Sequence, residues 1–243
     1  MNIIKLNAID STNSYLKKMA ASGGVSDNTV VVSDEQTSGR GQMGTVWRSE
    51  PGKNLTFSLF KEIRRLQREE QFYLSMAVSL GILKGLETFD IPSLRIKWPN
   101  DILSGNAKIC GILIENIFKE NQMRSSVIGI GLNVNQLDFE DLLNASSMKR
   151  ITGIHYNRDE VMQRIIKGIN EMEQLVENRE LGLLKSEYES MLFRREKPST
   201  FKKPDGALIM GFIEGVDTGG KLVIRLEDEV RQRFDLKEIT LLY

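Results

Sequence analysis

Apolar residues along the chain change spacing repeatedly, and each change marks a predicted element. Ile3, Ile4 and Leu6 open it as a short strand. Ser11 or Thr12 then caps a helix with Tyr15, Leu16 and Met19 on one face, and Gly23-Gly24 ends it. The β-branched run at 29–33 predicts a second strand, and "NLTFSLF" at 54–60 alternates like a third. Phe72, Met76, Leu80 and Leu83, flanked by Tyr73, Ala77 and Leu86, have the spacing of a long helix. Three strand-like runs follow, "LRIKWP", "ICGILIEN" and "SVIGIGLNV"; "SGNA" at 104–107 reads as a hairpin turn between the first two. A second long helix starts at Asn157, with Glu160 as capping-box partner and Val161, Ile165, Ile169, Met172 and Val176 as its buried stripe. A shorter helix is expected around 183–192.

Beyond it the pattern changes. "RREKPSTFKKPDG" at 194–206 is polar and turn-rich and reads as a linker. The runs "ALIMGFIEGV", "KLVIRLE", "VRQRFDL" and "EITLLY" then predict short strands, the number and length expected of a small SH3-like β-barrel. The expected organisation is α+β: a larger domain at 1–193, with a mixed β-sheet packed against helices, and a C-terminal barrel at 194–243. At 243 residues the chain has room for one large unit and a small one.

Composition narrows the function classes. There are 33 basic and 33 acidic residues, so no net positive charge favours nucleic acid. The most basic run, "KEIRRLQREE", is interleaved with acids. Cys110 is the sole cysteine, which excludes an intramolecular disulfide and a cysteine-based zinc site. It lies in an apolar run and reads as a buried thiol. His155 is the sole histidine and has no evident metal-ligand partner. No signal peptide and no apolar run of membrane length is present, so no membrane is expected and a cytoplasmic enzyme is the default.

Gly39-Arg40-Gly41-Gln42-Met43-Gly44 has the spacing G-x-G-x-x-G of dinucleotide-binding turns. A strand precedes it, but such turns also need a helix directly after, whose N-terminus holds the pyrophosphate. Here Pro51-Gly52 makes a turn and another strand begins. No Gly-Lys-Ser/Thr closes the run, which excludes a P-loop. What remains is a glycine-rich loop with one cation, either a flexible hairpin or a backbone that packs closely on an anionic ligand.

"KWPND" at 97–101 sets a cation, an indole, an amide and a carboxylate at the end of a strand. It is either a surface turn with a packing Trp98 or a place where a flat ligand stacks and a carboxylate holds a proton or metal. Lys108 stands at a strand start, as a solvated edge residue or a point charge for an anion. "GIGLNV" at 129–134 has glycines two apart on a strand, leaving one face open to a ligand or another backbone, and Asn133 adds an amide. "DSTN" at 10–13 is a helix cap or a set of hydroxyl and amide groups at a helix start.

In chain order, Asp10 to Asn13, Gln36 to Gly44, Lys97 to Asp101, Lys108 to Gly111 and Asn133 resemble the biotin protein ligase family, also called biotin–[acetyl-CoA-carboxylase] ligases. "KWPND", "GRG" and "K-x-x-G-I-L-x-E" together carry the resemblance, which spans nearly the whole chain. Lipoate ligases and octanoyltransferases, which share the fold, are not expected to carry "KWPND". The resemblance implies the class II aminoacyl-tRNA synthetase-like fold of biotin ligases. It also implies ATP and biotin as substrates, Mg²⁺, a biotinyl-AMP intermediate, and a biotin carboxyl carrier protein or domain as acceptor partner. Arg40, Lys108 and Asp101 match catalytic positions, Asp101 close to the acceptor lysine. Ser11, Thr12, Asn13, Gln36, Gly39, Arg40, Gly41, Lys108 and Gly111 match positions around biotin. Arg40, Trp47, Asn100, Lys108 and Asn133 match positions around the nucleotide, with Trp98 near the adenylate. No metal ligands are identified. Where many members read "GRGRxGR", this chain has Gln42 and Thr45, so its loop is less cationic. The chain begins with the catalytic domain's strand, so the DNA-reading module of some relatives is not expected. A lipoate or octanoate ligase and a non-catalytic biotin-binding regulator are the alternatives.

Overall fold

The computed structural model describes residues 1–120, 122–139, 142 and 144–243. The chain opens with β1 (Asn2–Ile9), α1 (Thr12–Ala21), β2 (Thr29–Gln36), β3 (Leu55–Glu62) and α2 (Phe72–Glu87). β4 (Leu94–Lys97), β5 (Asp101–Ser104), β6 (Ala107–Lys119) and β7 (Gln122–Leu132) follow. Then come α3 (Met148–Thr152), α4 (Arg158–Glu177) and α5 (Leu181–Ser190). The last strands are β8 (Pro198–Lys202), β9 (Leu208–Val216), β10 (Leu222–Leu226), β11 (Arg231–Phe234) and β12 (Thr240–Leu242).

β1 to β7 form one sheet in the order β1-β2-β3-β7-β6-β5-β4. β1 and β2 run parallel, and the other neighbours antiparallel, so the sheet is mixed. Alternation along β3 shows how its faces divide. Leu55, Phe57 and Leu59 join the main core under α2 and α4. Phe60, on the opposite face, joins Val31, Val127 and Leu16 in a small core under α1. Thr56 and Ser58 share that second face and are buried although polar.

α2 and α4 cross closely because both carry glycine at the contact. A Cβ on Gly168 would fall on the Gly81 carbonyl, and one on Gly81 would fall on the Ile169 backbone. This removes the side-chain spacing that ordinarily holds helix axes 8–10 Å apart.

The C-terminal strands form a separate antiparallel sheet, ordered β11-β10-β9-β8-β12. It is open, which corrects the expected SH3-like barrel. Closure would need β11 to pair with β12, and no such pair exists among the described residues. β12 has three residues, all paired with β8, and β11 pairs with β10 alone. The polar segment read as a linker contains β8. Its burial alternates, with Ser199 and Phe201 inward, and Phe201 is fully buried. β5 and α3 were likewise not foreseen. The two sheets share one hydrophobic core, in which Phe201, Ile213 and Ile224 are continuous with α2 and β4. Trp98 Nε1 also donates to the Gly220 carbonyl at 2.9 Å, joining the turn after β4 to the β9–β10 hairpin.

Gly168→Ala should lower stability by about 1–3 kcal/mol, because the added methyl must push two packed helices apart. Gly182→Ala, where an added Cβ meets nothing within 4 Å, should be neutral or stabilise by up to about 1 kcal/mol. Urea midpoints of the two variants against the parent check both.

Candidate active site

The register of the sheet assembles the site. Thr56 pairs with Gly131, Gly131 with Gly111, Gly111 with Asp101, and Asp101 with Lys97. These residues form one row across five strands and point to one face. At its centre two adjacent strands carry no side chain. The neighbouring row runs Ser58, Gly129, Leu113. A cavity of about 460 Å³ opens over both rows.

One end of the cavity is polar and preorganised. Ser11 is the N-cap of α1, its Oγ accepting from Ser14 N–H at 3.4 Å. Thr12 donates its N–H and its hydroxyl to Gln36 Oε1, at 2.9 and 3.0 Å. Asn13 rests on the bare backbone of Gly129, where a Cβ would overlap its amide oxygen. Ser58 Oγ lies 2.7 Å from Thr12 Oγ1 and 2.5 Å from Asn13 Oδ1. Two hydroxyl protons therefore serve three oxygen–oxygen contacts, Thr12–Gln36, Thr12–Ser58 and Ser58–Asn13. One contact lacks a proton, so one of these oxygens keeps a lone pair free to accept from a ligand N–H. Thr12, Asn13 and Ser58 are all buried. Asn13 Nδ2 donates to Glu115 Oε2 at 2.9 Å and to the Leu113 carbonyl at 3.3 Å.

The glycine-rich segment is a tight hairpin followed by no helix. Trp47 N–H donates to the Gly39 carbonyl at 3.0 Å, and Gly41 N–H to the Thr45 carbonyl at 2.7 Å. A Cβ on Gly39 would strike the Trp47 carbonyl. The first two glycines thus let the hairpin's own strands meet. Trp47 folds back so that its indole covers Gly131 and reaches Gly111. Its Nε1 is buried and has no hydrogen-bond partner among the described residues.

The other end of the cavity is charged. Lys108 Nζ lies 2.6 Å from Asp101 Oδ1 and 5.9 Å from the Trp47 ring centre. The approach is ionic, since Oδ1 receives no aligned hydrogen bond. Lys97 Nζ is 3.5 Å from Asp101 Oδ2 and 5.4 Å over the Tyr243 ring. Burial, and then the Asp101 carboxylate, raise the Tyr243 hydroxyl above the usual tyrosine range. Asn100 donates Nδ2 to the Ile112 carbonyl at 2.8 Å and lines the cavity together with Trp98.

Arg40 is placed differently. Its Nη2 donates to Glu115 Oε2 at 3.2 Å and to Ser14 Oγ at 3.1 Å, beside the polar end. Glu115 and Gly111 are four residues apart on β6, about 13 Å along a strand. The Lys108 ammonium lies at Gly111, so the two cations stand at different ends. Asn133 and Gly39 do not line the cavity. Asn133 is buried, its amide donating to the Ser146 carbonyl at 3.0 Å. Cys110 is fully buried, and burial pushes its thiol far up.

Sequence reasoning missed several lining residues. Thr56 looks solvent-facing in an alternating strand. The motifs all precede Asn135, yet Ile213, Leu222, Leu236, Lys237 and 239–241 close the wall from the C-terminal sheet. Lys237 reaches the Met43 carbonyl at 3.4 Å across 194 residues of chain, a separation no local pattern reports.

A scan of family models matches residues 6–133 to the Biotin/lipoate A/B protein ligase family. Among curated proteins, the bifunctional ligase/repressor BirA of Bacillus spizizenii is 38% identical over 170 residues, covering 68% of this chain and 51% of that protein. The biotin–[acetyl-CoA-carboxylase] ligase of Mycobacterium tuberculosis is 26% identical over 218 residues, covering 88% of this chain and 79% of that protein. The chain thus spans about half the length of the Bacillus relative. Among solved structures, the biotin protein ligase of Aquifex aeolicus in complex with biotin and ATP superposes with TM-score 0.82 at 28% identity, covering 99% of this chain and 98% of that one.

Gly131→Ala should dislodge the indole that covers it. In a Trp98→Phe background, which leaves Trp47 as the sole indole, acrylamide quenching should rise about twofold as the ring leaves its half-buried seat. Unchanged quenching in the folded variant would show that Trp47 does not rest on that strand.

Proposed function

The chain belongs to the biotin/lipoate A/B protein ligase family, and on that premise we propose that it activates biotin with ATP and transfers it to a lysine of a biotin-carrier domain. In the first step a biotin carboxylate oxygen attacks the α-phosphorus, pyrophosphate leaves, and a mixed anhydride forms. In the second step an acceptor amine attacks the anhydride carbonyl, the amide forms and AMP departs. The observation that carries the reading is the glycine-floored row, with neutral polar groups at one end and Lys97 and Lys108 on Asp101 at the other. A ureido ring offers N–H donors and a carbonyl acceptor to Thr12, Asn13, Gln36 and Ser58. A dithiolane or plain acyl chain offers none and would gain no hydrogen bond from these groups, so the polar end would add nothing to its affinity. This favours biotin over lipoate or octanoate.

Lys108 is assigned the charge at the reacting anions, where fixed charge is the largest catalytic contribution. Asp101 already orients two ammonium groups, which suits it to orient the incoming amine. Trp47, Trp98 and Asn100 are assigned to the nucleotide. Magnesium has no ready-made protein cage here. Among the described residues no cluster of three or more His, Cys, Asp or Glu forms, and the sole carboxylate lining the cavity, Asp101, is engaged by both lysines. No step is therefore assigned to an ion held by the protein. No helix among the described residues is long and apolar enough to cross a membrane.

Biotin-dependent pyrophosphate release, followed by transfer to a carrier domain, tests the proposal; release driven by lipoate or octanoate but not biotin would overturn it. Lys108→Ala should lower adenylate formation by about 10²–10³-fold with the fold intact, read by pyrophosphate release. The loop's one arginine lies at the polar end, and Gln42 cannot neutralise phosphate. Gln42→Arg should therefore slow biotinyl-AMP dissociation by roughly 5- to 10-fold, about 1–1.4 kcal/mol of added retention, as measured by stopped flow.

A further inference from the structure

We propose that Glu115 is the positioning residue for the ring-recognising end of the cavity, tethering the glycine-rich hairpin through Arg40 and fixing the sense of the Asn13 amide. The inference rests on the biotin reading above. Glu115 closes the motif K-x-x-G-I-L-x-E, and nothing in that reading gives it a task. It lies on β6 on the same face as Gly111 and Leu113, with its side chain 20% exposed. Its two oxygens gather donors from two segments, α1 and the glycine-rich hairpin, and add to the Arg40–Ser14 bond between them. Oε2 accepts from Asn13 Nδ2 at 2.9 Å and from Arg40 Nη2 at 3.2 Å, while Oε1 pairs with Lys17 at 2.8 Å.

Each contact has a consequence for the cavity. An amide can be turned end for end at little cost unless its partners distinguish oxygen from nitrogen. A carboxylate accepts only, so Glu115, with the Leu113 carbonyl at a longer 3.3 Å, holds the Asn13 nitrogen on its own side and leaves Oδ1 facing Ser58. Arg40 offers a planar fork of five donors. Glu115 and Ser14 engage one terminal nitrogen, and the rest of the fork remains available while the hairpin is held down. Two cations on one carboxylate keep this corner net positive after the tether forms. Burial by itself would raise the Glu115 carboxyl, but Lys17, Asn13 and Arg40 outweigh it and hold the group below the usual carboxylate range. It is therefore charged throughout the neutral range.

An ordinary surface ion pair would do none of this and would add little to stability. Substrate kinetics separate the two cases. In Glu115→Gln the shape remains but the ionic tether is lost, and the amide sense rests on the longer bond to the Leu113 carbonyl. Biotin KM should rise about 10-fold, while kcat and ATP KM stay within about threefold, the signature of lost ground-state binding. Glu115→Asp, which keeps the charge, should recover part of the loss. Arg40→Ala should add less than about twofold in the Glu115→Gln background, because the two residues act as one unit. Lys17→Gln, which spares the hairpin, should change biotin KM by less than about twofold. A folded Glu115→Gln protein with unchanged biotin KM, or strict additivity with Arg40→Ala, overturns the proposal. If Glu115→Gln does not fold, the same comparison with Glu115→Asp decides. If the parent protein shows no biotin-dependent pyrophosphate release, the proposed activity itself fails. Calorimetric titration of the parent and Glu115→Gln with biotin then still reads the tether, and equal affinities would overturn it.

Discussion

Two neighbouring strands at the centre of the sheet are bare on one face, and the site depends on that bareness. Gly111 and Gly131 face each other across β6 and β7, with Gly129 one pleat away. The other face of the same strands is packed solid by Ile112, Ile128 and Ile130. The sheet is therefore rigid where the missing side chains leave room above it. Asn13 descends onto Gly129, and Trp47 lies on Gly131. A methyl at either place would lift the helix start or the hairpin. The positions of the polar end, the indole and the Lys108 ammonium all follow from this backbone surface.

Charge is distributed with comparable economy. Asp101 holds Lys97 and Lys108, and Glu115 holds Lys17 and Arg40. Each carboxylate orients two cations and leaves one positive charge over. Exposed cations would be screened and disordered, and fully buried ones would be heavily penalised by desolvation. A carboxylate that is buried, as Asp101 is, or half-buried, as Glu115 is, holds such cations at the cavity edge and avoids both. An extended ligand with an anion at one end and a neutral polar ring at the other fits the separation of these corners better than a compact one.

Much of this was legible in the sequence because it is local. The glycine spacing in "GIGLNV" announced a strand with one open face, and "DSTN" gave hydroxyls and an amide at a helix start. The missing helix after Gly44 ruled out a dinucleotide turn, and the hairpin agrees. What was not legible depends on pairing between distant segments. Thr56 and Ser58 look like the wet side of a strand until α1 and the cavity cover them. β8 hides in a polar segment because two inward residues suffice to seat it. The strand count of a barrel was present, but closure depends on whether the edge strands reach each other, and β12 is too short and already paired. The separation of Arg40 from Lys108 is also a tertiary fact. Residues near in a motif list lie at opposite ends because a hairpin folds one way and a strand extends the other.

The indole of Trp47 carries one more consequence. Its N–H is shut away from water and answered by nothing among the described residues. An unmet buried donor of this kind costs the protein roughly 1–3 kcal/mol. A ligand acceptor brought to that spot would recover the difference, roughly 5- to 150-fold in affinity. Part of the grip on a ligand is thus set by the fold itself, in a donor that no protein group answers.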